Sequence, residues 1–199
     1  MSTALTILGL LPFYLLGAFP TGLLISKLHG IDITAQGSGN VGATNVARIL
    51  GKRAGLLTLA GDILKGYIGV MIAALVSSSV AFPAAAGAAL VCGHCFSIPP
   101  FLRGGKGVAT ALGMIAALSG VSALITLAVF GIAFALSRIV SLSSMLAALV
   151  LPLAAFLMNL SEAICLSFVI VSVVVIVRHR QNIQRLIEGA EQPFQFKSK

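Results

Sequence analysis

Seven apolar runs separated by short polar segments dominate this sequence of 199 residues. They cover residues 5–26, 55–77, 80–98, 108–118, 121–136, 142–158 and 163–177. Only 9% of the residues are charged, whereas a soluble domain carries about 25%. Because about 20 apolar residues span a bilayer as a helix, we predict an all-α integral membrane protein of one domain, 1–199, with about seven transmembrane helices. The run 108–118 is either a short helix inside the bundle or the first half of a longer helix.

The positions of the basic residues predict an orientation. With seven spans and the N-terminus outside, the inside segments are 27–54, 99–107, 137–141 and 178–199, and they hold all of the 13 Lys and Arg residues except Lys65. The positive-inside rule therefore places the C-terminus in the cytoplasm, with 188–199 as a flexible tail. A six-span fold would move Arg138 to the other side. The net charge of +8 is thus explained by a lipid bilayer rather than by nucleic acid, and nothing in the sequence indicates an obligate protein partner.

The polar segment 37–48, GSGNVGATNVAR, contains no acidic residue. Its glycines, Gly37, Gly39 and Gly42, allow backbone N–H groups to turn toward one point. The neutral hydrogen-bonding side chains are Ser38, Asn40, Thr44 and Asn45, and Arg48 adds a positive charge. This composition favours an anion, most plausibly a phosphate, over a metal or an apolar ligand. The alternative is a flexible loop without a ligand.

Two further polar segments lie on the same predicted side of the membrane. In the first, Gly104, Gly105 and Gly107 surround Lys106 and precede an apolar helix, whose N-terminus would attract an anion; the alternative is a tight interfacial turn. In the second, His179, Asn182 and Arg185 are three residues apart, which places them on one side of a helix that continues out of the membrane. Its alternative role is contact with anionic lipid.

Several other patterns carry less weight. Asp62 and Lys65 lie inside an apolar run, where ionisable residues are functional candidates; the alternative is a pair whose charges neutralise each other. The G-x-G-x-x-G match at 37–42 lacks the strand that a dinucleotide site needs. The pair Cys92 and Cys95 lies in an apolar helix, which disfavours redox chemistry. His94 between them is interpreted as a packing residue, with a substrate contact as the alternative. No carboxylate cluster indicates Mg²⁺, so we predict neither metal nor cofactor.

Together the three segments, GSGNVGATNVAR, GGKGVAT and HRQNIQRLIEG-E, resemble the signature motifs of the bacterial acyl-phosphate:glycerol-3-phosphate acyltransferases, the PlsY family. The resemblance covers essentially the whole chain. It implies transfer of a fatty acyl group from acyl-phosphate to the 1-hydroxyl of glycerol 3-phosphate, giving lysophosphatidic acid and phosphate, the first step of phospholipid synthesis. It also implies a bacterial cytoplasmic (inner) membrane and an active site that faces the cytoplasm. An acyl-phosphate has a good leaving group, which suits a chain without a His-Asp relay.

On this resemblance we assign hypothetical roles. The predicted catalytic residues are Ser38, Arg48, Lys106, His179 and Asn182. The predicted substrate-binding residues are Gly37, Gly39, Asn40, Gly42, Thr44, Asn45, Gly104, Gly105 and Gly107. The residues expected to hold these side chains in position without contacting the substrate are Arg185, Glu191, Asp62 and Lys65. The competing hypothesis is a transporter of a phosphorylated solute, which would place ionisable groups near the bilayer midplane and would show repeats.

Overall fold

A computed structural model of the chain describes residues 3–96 and 104–195, with side chains from residue 8 onward. The described residues form only helices, apart from turns and loops. The α-helices are α1 (Thr3–Gly17), α2 (Thr21–Leu28), α3 (Ala43–Leu50), α4 (Lys52–Val76), α5 (Ala81–Cys95), α6 (Val108–Leu118), α7 (Gly120–Ser137), α8 (Val140–Leu157), α9 (Glu162–Arg178) and α10 (Arg180–Ile187). A 3-10 helix covers Ile33–Ala35. The predicted all-α class is therefore confirmed.

Within the described residues, four stretches are long and apolar enough to cross a membrane, namely Leu8–Leu28, Lys52–Val76, Gly120–Ser137 and Val140–Leu157. A fifth is formed if α9 and α10, which meet at an angle of 55°, count as one bent span. The first of these stretches joins α1 to α2 across Pro20, whose ring nitrogen cannot donate the hydrogen bond that a continuous helix needs. The remaining apolar helices, α5 and α6, are shorter.

The open question about run 108–118 is settled by Ser119. This residue has an extended backbone with φ of −158° and ψ of 99°, and its side chain accepts a hydrogen bond from the Ser122 N–H. A serine in this position caps the following helix. α6 is therefore a separate short helix, and its residues Ala111 and Met114 are buried in the core.

Glycines allow the central helices to approach closely. α4 packs along α6, and a Cβ atom added at Gly66 would meet the Thr110 carbonyl, while one at Gly113 would meet the Ile63 carbonyl. α1 packs on α5 in the same way, since a Cβ at Gly93 would meet the Tyr14 carbonyl. Small residues at such crossings let helix backbones gain van der Waals contact where lipid offers little hydrophobic driving force.

The apolar core combines residues of α1 and α4–α9, with Leu90, Met114 and Phe168 fully buried. A smaller cluster, formed by Ile33, Val41, Val46 and Ala54, lies beneath the first polar segment. It joins the 3-10 helix and α3 to the start of α4. This second cluster fixes the first polar segment on the end of the bundle.

The last part of the chain differs from both predictions made for it. The helix does not continue straight through the third polar segment, because it breaks at His179, where both the backbone N–H and the ring Nδ1 bond to the Val175 carbonyl. The tail predicted to be flexible is docked in its described part. The Phe194 N–H donates to the Arg138 carbonyl at 2.8 Å, and the Phe194 ring lies 6.4 Å from that of Phe134.

We expect Gly113→Ala to destabilise the protein, because its Cβ would press against the Ile63 carbonyl of α4. Overpacking of this kind costs about 1–3 kcal/mol of unfolding free energy. The matched control is Gly131→Ala in α7, where nothing lies within 4 Å of the added atom. Thermal unfolding in one detergent measures both variants. Equal unfolding temperatures for the two would contradict the close α4–α6 crossing.

Candidate anion-binding site

The four residues 104–107, here called the lysine loop, directly precede α6. The Gly105 N–H donates to the His94 carbonyl at 2.9 Å, which seats the loop on α5. From α9, Arg178 donates its Nε to the Gly105 carbonyl at 3.0 Å and its Nη2 to the Gly104 carbonyl at 3.1 Å. The lysine loop is therefore held from both sides through its backbone.

Only glycine fits at the positions that flank the lysine. A Cβ at Gly104 would meet the Cys95 carbonyl, and one at Gly105 would meet the His94 ring. Gly107 has φ of +82°, a left-handed conformation that residues with a Cβ rarely adopt. The three glycines thus explain how the Lys106 side chain alone projects from the loop.

The ammonium of Lys106 donates to the Asn182 Oδ1 at 2.6 Å. Burial lowers the pKa of Lys106 to about 8, with Glu191 acting against this shift and Arg185, Arg178 and Arg48 reinforcing it. Lys106 thus lies within electrostatic range of three arginines and one carboxylate. α6 begins directly after the loop, and the first N–H groups of an α-helix have no partner within it. This end of the bundle is built to attract an anion.

Glu191 determines how the Asn182 amide is oriented. Its Oε1 accepts from the Asn182 Nδ2 and from the Ser141 hydroxyl, each at 2.6 Å, and its Oε2 accepts from the Arg185 Nε at 2.6 Å. Because an ionised carboxylate only accepts hydrogen bonds, the amide nitrogen must face Glu191, and the amide oxygen then faces Lys106. Burial alone would raise the pKa of Glu191, but the hydrogen bonds from Ser141, Asn182 and Arg185 outweigh it and lower that pKa.

His179 lies at the junction of α9 and α10 and is 2% exposed. Its Nδ1 lies 2.7 Å from the Val175 carbonyl. A carbonyl can only accept, so Nδ1 carries the proton, and the lone pair of the neutral ring belongs to Nε2. Within the described residues Nε2 has no hydrogen-bond partner, which leaves it available to a ligand hydroxyl.

The first polar segment is organised by the buried Asn45 side chain. Its Nδ2 donates to the carbonyls of Gln36 and Asn40 at 3.0 Å each, and its Oδ1 accepts from the Ser38 N–H at 3.0 Å. The Gly42 N–H donates to the Asn40 Oδ1 at 2.8 Å. Gly37 and Gly39 have φ of +58° and +67°, so both require the freedom of glycine.

This network reduces the number of backbone N–H groups that the first polar segment can offer to a phosphate. The N–H groups of Ser38, Gly39 and Gly42 already donate within the segment, so in this conformation they are not offered to a ligand. Thr44, in the first turn of α3, retains the unpaired N–H group that a helix N-terminus provides. The Ser38 side chain is exposed, and within the described residues no hydrogen bond joins it to Lys106.

The structure brings four of the five predicted catalytic residues to one place. Lys106 and Asn182 are in contact. His179 lies within electrostatic range of Lys106, and Lys106 lies within electrostatic range of Arg48. Glu191 was predicted only as a supporting residue. Its importance depends on Ser141, which comes from a different helix, so no pattern within the third segment could have distinguished it from Glu188.

The fold and this arrangement define a helical membrane protein with a cationic site at one end of its bundle. A family model described as glycerol-3-phosphate acyltransferase matches residues 7–189. The chain belongs to that family, which confirms the resemblance seen in its three polar segments.

Similar proteins extend over nearly the whole chain. The glycerol-3-phosphate acyltransferase of Trichlorobacter lovleyi is 47% identical over 181 residues, 91% of this chain and 93% of the relative. Glycerol-3-phosphate acyltransferase 1 of Deinococcus radiodurans is 38% identical over 191 residues, 95% of this chain and 96% of the relative. A crystal structure of PlsY, an integral membrane glycerol 3-phosphate acyltransferase, in its glycerol 3-phosphate form has a TM-score of 0.90 at 38% identity and covers 96% of both chains.

We expect Glu191→Gln to lower the stability of the protein at neutral pH, because hydrogen bonds to a charged group contribute about 1.5–3 kcal/mol. The folded-state pKa of Glu191 lies below the ordinary value of a glutamate side chain. The carboxylate therefore stabilises the fold above the unfolded-state pKa, and this contribution is lost as the pH falls through the folded-state pKa.

Thermal unfolding measured from neutral to acidic pH checks this prediction. The difference between wild type and Glu191→Gln should shrink as the pH falls below about 4. Glu188→Gln is the matched control, since that carboxylate is exposed and accepts only from Gln184 on the same helix. A difference that stays constant across the pH range would contradict the proposed hydrogen-bonding role of the ionised carboxylate.

Proposed function

We propose that this protein transfers a fatty acyl group from acyl-phosphate to the 1-hydroxyl of glycerol 3-phosphate, producing lysophosphatidic acid and inorganic phosphate. The observation that carries the proposal is the cationic cluster around Lys106 in a chain of the glycerol-3-phosphate acyltransferase family. Both substrates carry phosphate groups, which suits a site where Lys106 and three arginines outnumber a single carboxylate. The acyl chain suits a site at the end of an apolar bundle.

The chemistry needs little from the protein beyond positioning and charge. The glycerol hydroxyl oxygen attacks the acyl carbon, and the bond from that carbon to the phosphate oxygen breaks. The electron pair of the broken bond leaves with the phosphate, and the hydroxyl proton passes to a phosphate oxygen. Positively charged groups that hold the departing phosphate stabilise the charge that develops in the transition state.

We assign the groups accordingly. Lys106 and Arg48 bind phosphate, and the lone pair on the His179 Nε2 accepts a hydrogen bond from the second hydroxyl of glycerol 3-phosphate, which orients the attacking 1-hydroxyl toward the acyl carbon. Asn182 orients the Lys106 ammonium from its position between Lys106 and Glu191. Ser38, Asn40 and Thr44 contact the acyl-phosphate head group, while the glycines of the two loops give the backbone around it the required conformation.

We further propose that the chain is one membrane-embedded domain with seven spans, of which α5 and α6 are the short ones. The site would then face the cytoplasm of a bacterium from its inner membrane. The contacts of the lysine loop with Asn182, and of Phe194 with Arg138, support this, because they gather the basic segments at the same end of the bundle. Positive-inside placement selects the cytoplasm for that end.

Phosphate release by the reconstituted protein tests the function. The protein in detergent or mesophase is given palmitoyl-phosphate with and without glycerol 3-phosphate, and palmitoyl-CoA serves as the donor control. Release that requires the acceptor and occurs only with palmitoyl-phosphate supports the proposal. Activity with palmitoyl-CoA instead would overturn the donor assignment. Solute uptake into proteoliposomes without turnover of either donor would favour a transporter.

We expect kcat/KM for palmitoyl-phosphate to fall as the pH rises above about 8, because the pKa of Lys106 is lowered to about 8 and only the protonated amine binds phosphate. Lys106→Ala should lose activity by about 100-fold or more. Lys106→Arg should retain part of the activity and lose the alkaline decline, since arginine stays charged at that pH. Rates across the pH range check this, with the exposed Lys27→Ala as control. An unchanged alkaline decline in Lys106→Arg would contradict the assignment.

His179 is expected to act through its Nε2. In His179→Asn the amide nitrogen can still donate to the Val175 carbonyl from near the Nδ1 position, but the acceptor is lost. We therefore expect kcat/KM for glycerol 3-phosphate to fall about 10–100-fold. His29→Asn is a matched control, because the His29 Nδ1 lies 2.8 Å from the Ile25 carbonyl in the same helix-end geometry. Equal kinetics in the two variants would contradict the role of His179.

A further inference from the structure

Three ionisable side chains, here called the buried triad, meet inside the bundle beneath the lysine loop. Asp62 is 2% exposed, Lys65 7% and His94 8%. They lie where α4 and α5 face the break between α1 and α2, beside a small cavity that Asp62 and His94 line together with Phe19. A mutual ion pair was one of the two interpretations of Asp62 and Lys65, and the structure shows that pair, with Nζ and Oδ1 at 2.8 Å. His94 had been interpreted as a packing residue, with a substrate contact as the alternative.

The hydrogen bonds of the Lys65 ammonium define the proton on His94. Nζ contacts the Asp62 Oδ1 at 2.8 Å, the Phe19 carbonyl at 2.9 Å and the His94 Nδ1 at 2.9 Å. An ammonium has three donors and accepts nothing, so the Nδ1 of His94 must be the acceptor. The neutral ring then carries its proton on Nε2. The separation of 3.8 Å between the His94 Nδ1 and the Asp62 Oδ1 is too long for a hydrogen bond.

The other edge of the His94 ring supports the lysine loop. A Cβ added at Gly105 would collide with the His94 Nε2, so the backbone of Gly105 rests directly on that edge. The Gly105 N–H also bonds to the His94 carbonyl at 2.9 Å. Lys65 thus fixes the rotation of the His94 ring through Nδ1. The opposite edge of the ring, at Nε2, fixes the position of the Gly105 backbone.

The backbone between the His94 ring and Lys106 has little freedom to move. Arg178 holds the Gly104 and Gly105 carbonyls from above, so the loop is confined between the guanidinium and the imidazole. The next residue along the chain is Lys106, whose ammonium is 2.6 Å from the Asn182 Oδ1. A movement of the His94 ring would therefore displace the Lys106 ammonium, and a displacement of about 1 Å at a reacting group can cost about 100-fold in rate.

A buried ion pair is weak evidence for stability, because desolvating two charges offsets much of their attraction. In a membrane bundle such groups are rare unless they have a use. We propose that Asp62, Lys65 and His94 are positioning residues that fix the Lys106 ammonium through the backbone of Gly105. This inference rests on the proposed function, in which Lys106 binds phosphate. A merely structural triad would instead join the α1–α2 break to α4 through the Phe19 carbonyl.

The test is a double-mutant cycle between His94→Asn and Lys106→Ala in the full-length reconstituted protein. Asparagine keeps an acceptor near the Nδ1 position for Lys65 but removes the ring edge beneath Gly105. We expect His94→Asn to lower kcat by about tenfold or more, with KM for glycerol 3-phosphate and the unfolding temperature unchanged. In the Lys106→Ala background it should change kcat by less than about twofold, since residues that act through one group are not additive.

Equal fold-losses in both backgrounds would overturn the proposal and leave the triad a structural role. Thr126→Val in α7 is the control for the loss of a buried polar group. Among the described residues, the Thr126 hydroxyl bonds only to carbonyls of its own helix. Should His94→Asn fail to fold, Gly105→Ala reaches the same contact from the loop side, and the same lack of additivity is expected. Absence of phosphate release by the wild-type protein would instead overturn the proposed function itself.

A readout independent of turnover decides the matter where Lys106→Ala is too slow to measure. An amine-reactive reagent is applied to wild type and to His94→Asn, and the modification of Lys106 is followed by peptide mass spectrometry. The exposed Lys27 is the internal reference. A changed modification rate at Lys106 with an unchanged rate at Lys27 supports the proposal. Unchanged rates at both lysines would overturn it.

Discussion

The two hydrogen bonds from Arg178 to the Gly104 and Gly105 carbonyls hold the whole site together. They join the end of α9 to the lysine loop. Lys106 is the next residue of that loop, and Asn182 lies one helical turn beyond Arg178. The guanidinium carbon also lies over the Phe96 ring, 5.6 Å from its centroid, within the range of a cation–π interaction. A cation held in this way contributes charge to the site and at the same time shapes its backbone.

The helical class and the identity of the polar segments were predictable because each depends on local pattern. The apolar runs correspond to helices, and the three segments contain the residues that meet near Lys106. The bend at His179 was not predictable, since it depends on a ring that bonds back to its own helix. The separation of α6 from α7 was left open by the sequence, although Ser119 is a residue that often caps helices.

The details of the site were less accessible to sequence reasoning for a different reason. Glycines suggested a cradle of backbone N–H groups, but the Asn45 amide and the Asn40 carboxamide engage several of these groups within the segment. Which N–H groups are free depends on a side chain several residues away. The role of His94 depends in the same way on Lys65 from another helix and on the absence of a side chain at Gly105, so it became visible only once the helices were packed.

The docking of the C-terminal segment has a consequence for the biosynthesis of the protein. Glu191 orients the Asn182 amide, yet it comes after every helix of the described chain. A nascent chain in which the described helices have inserted therefore still lacks the carboxylate that completes the site. Assembly of the site thus requires the segment that follows α10, so that chains truncated after α10 would contain the described helices but leave the Asn182 amide unoriented.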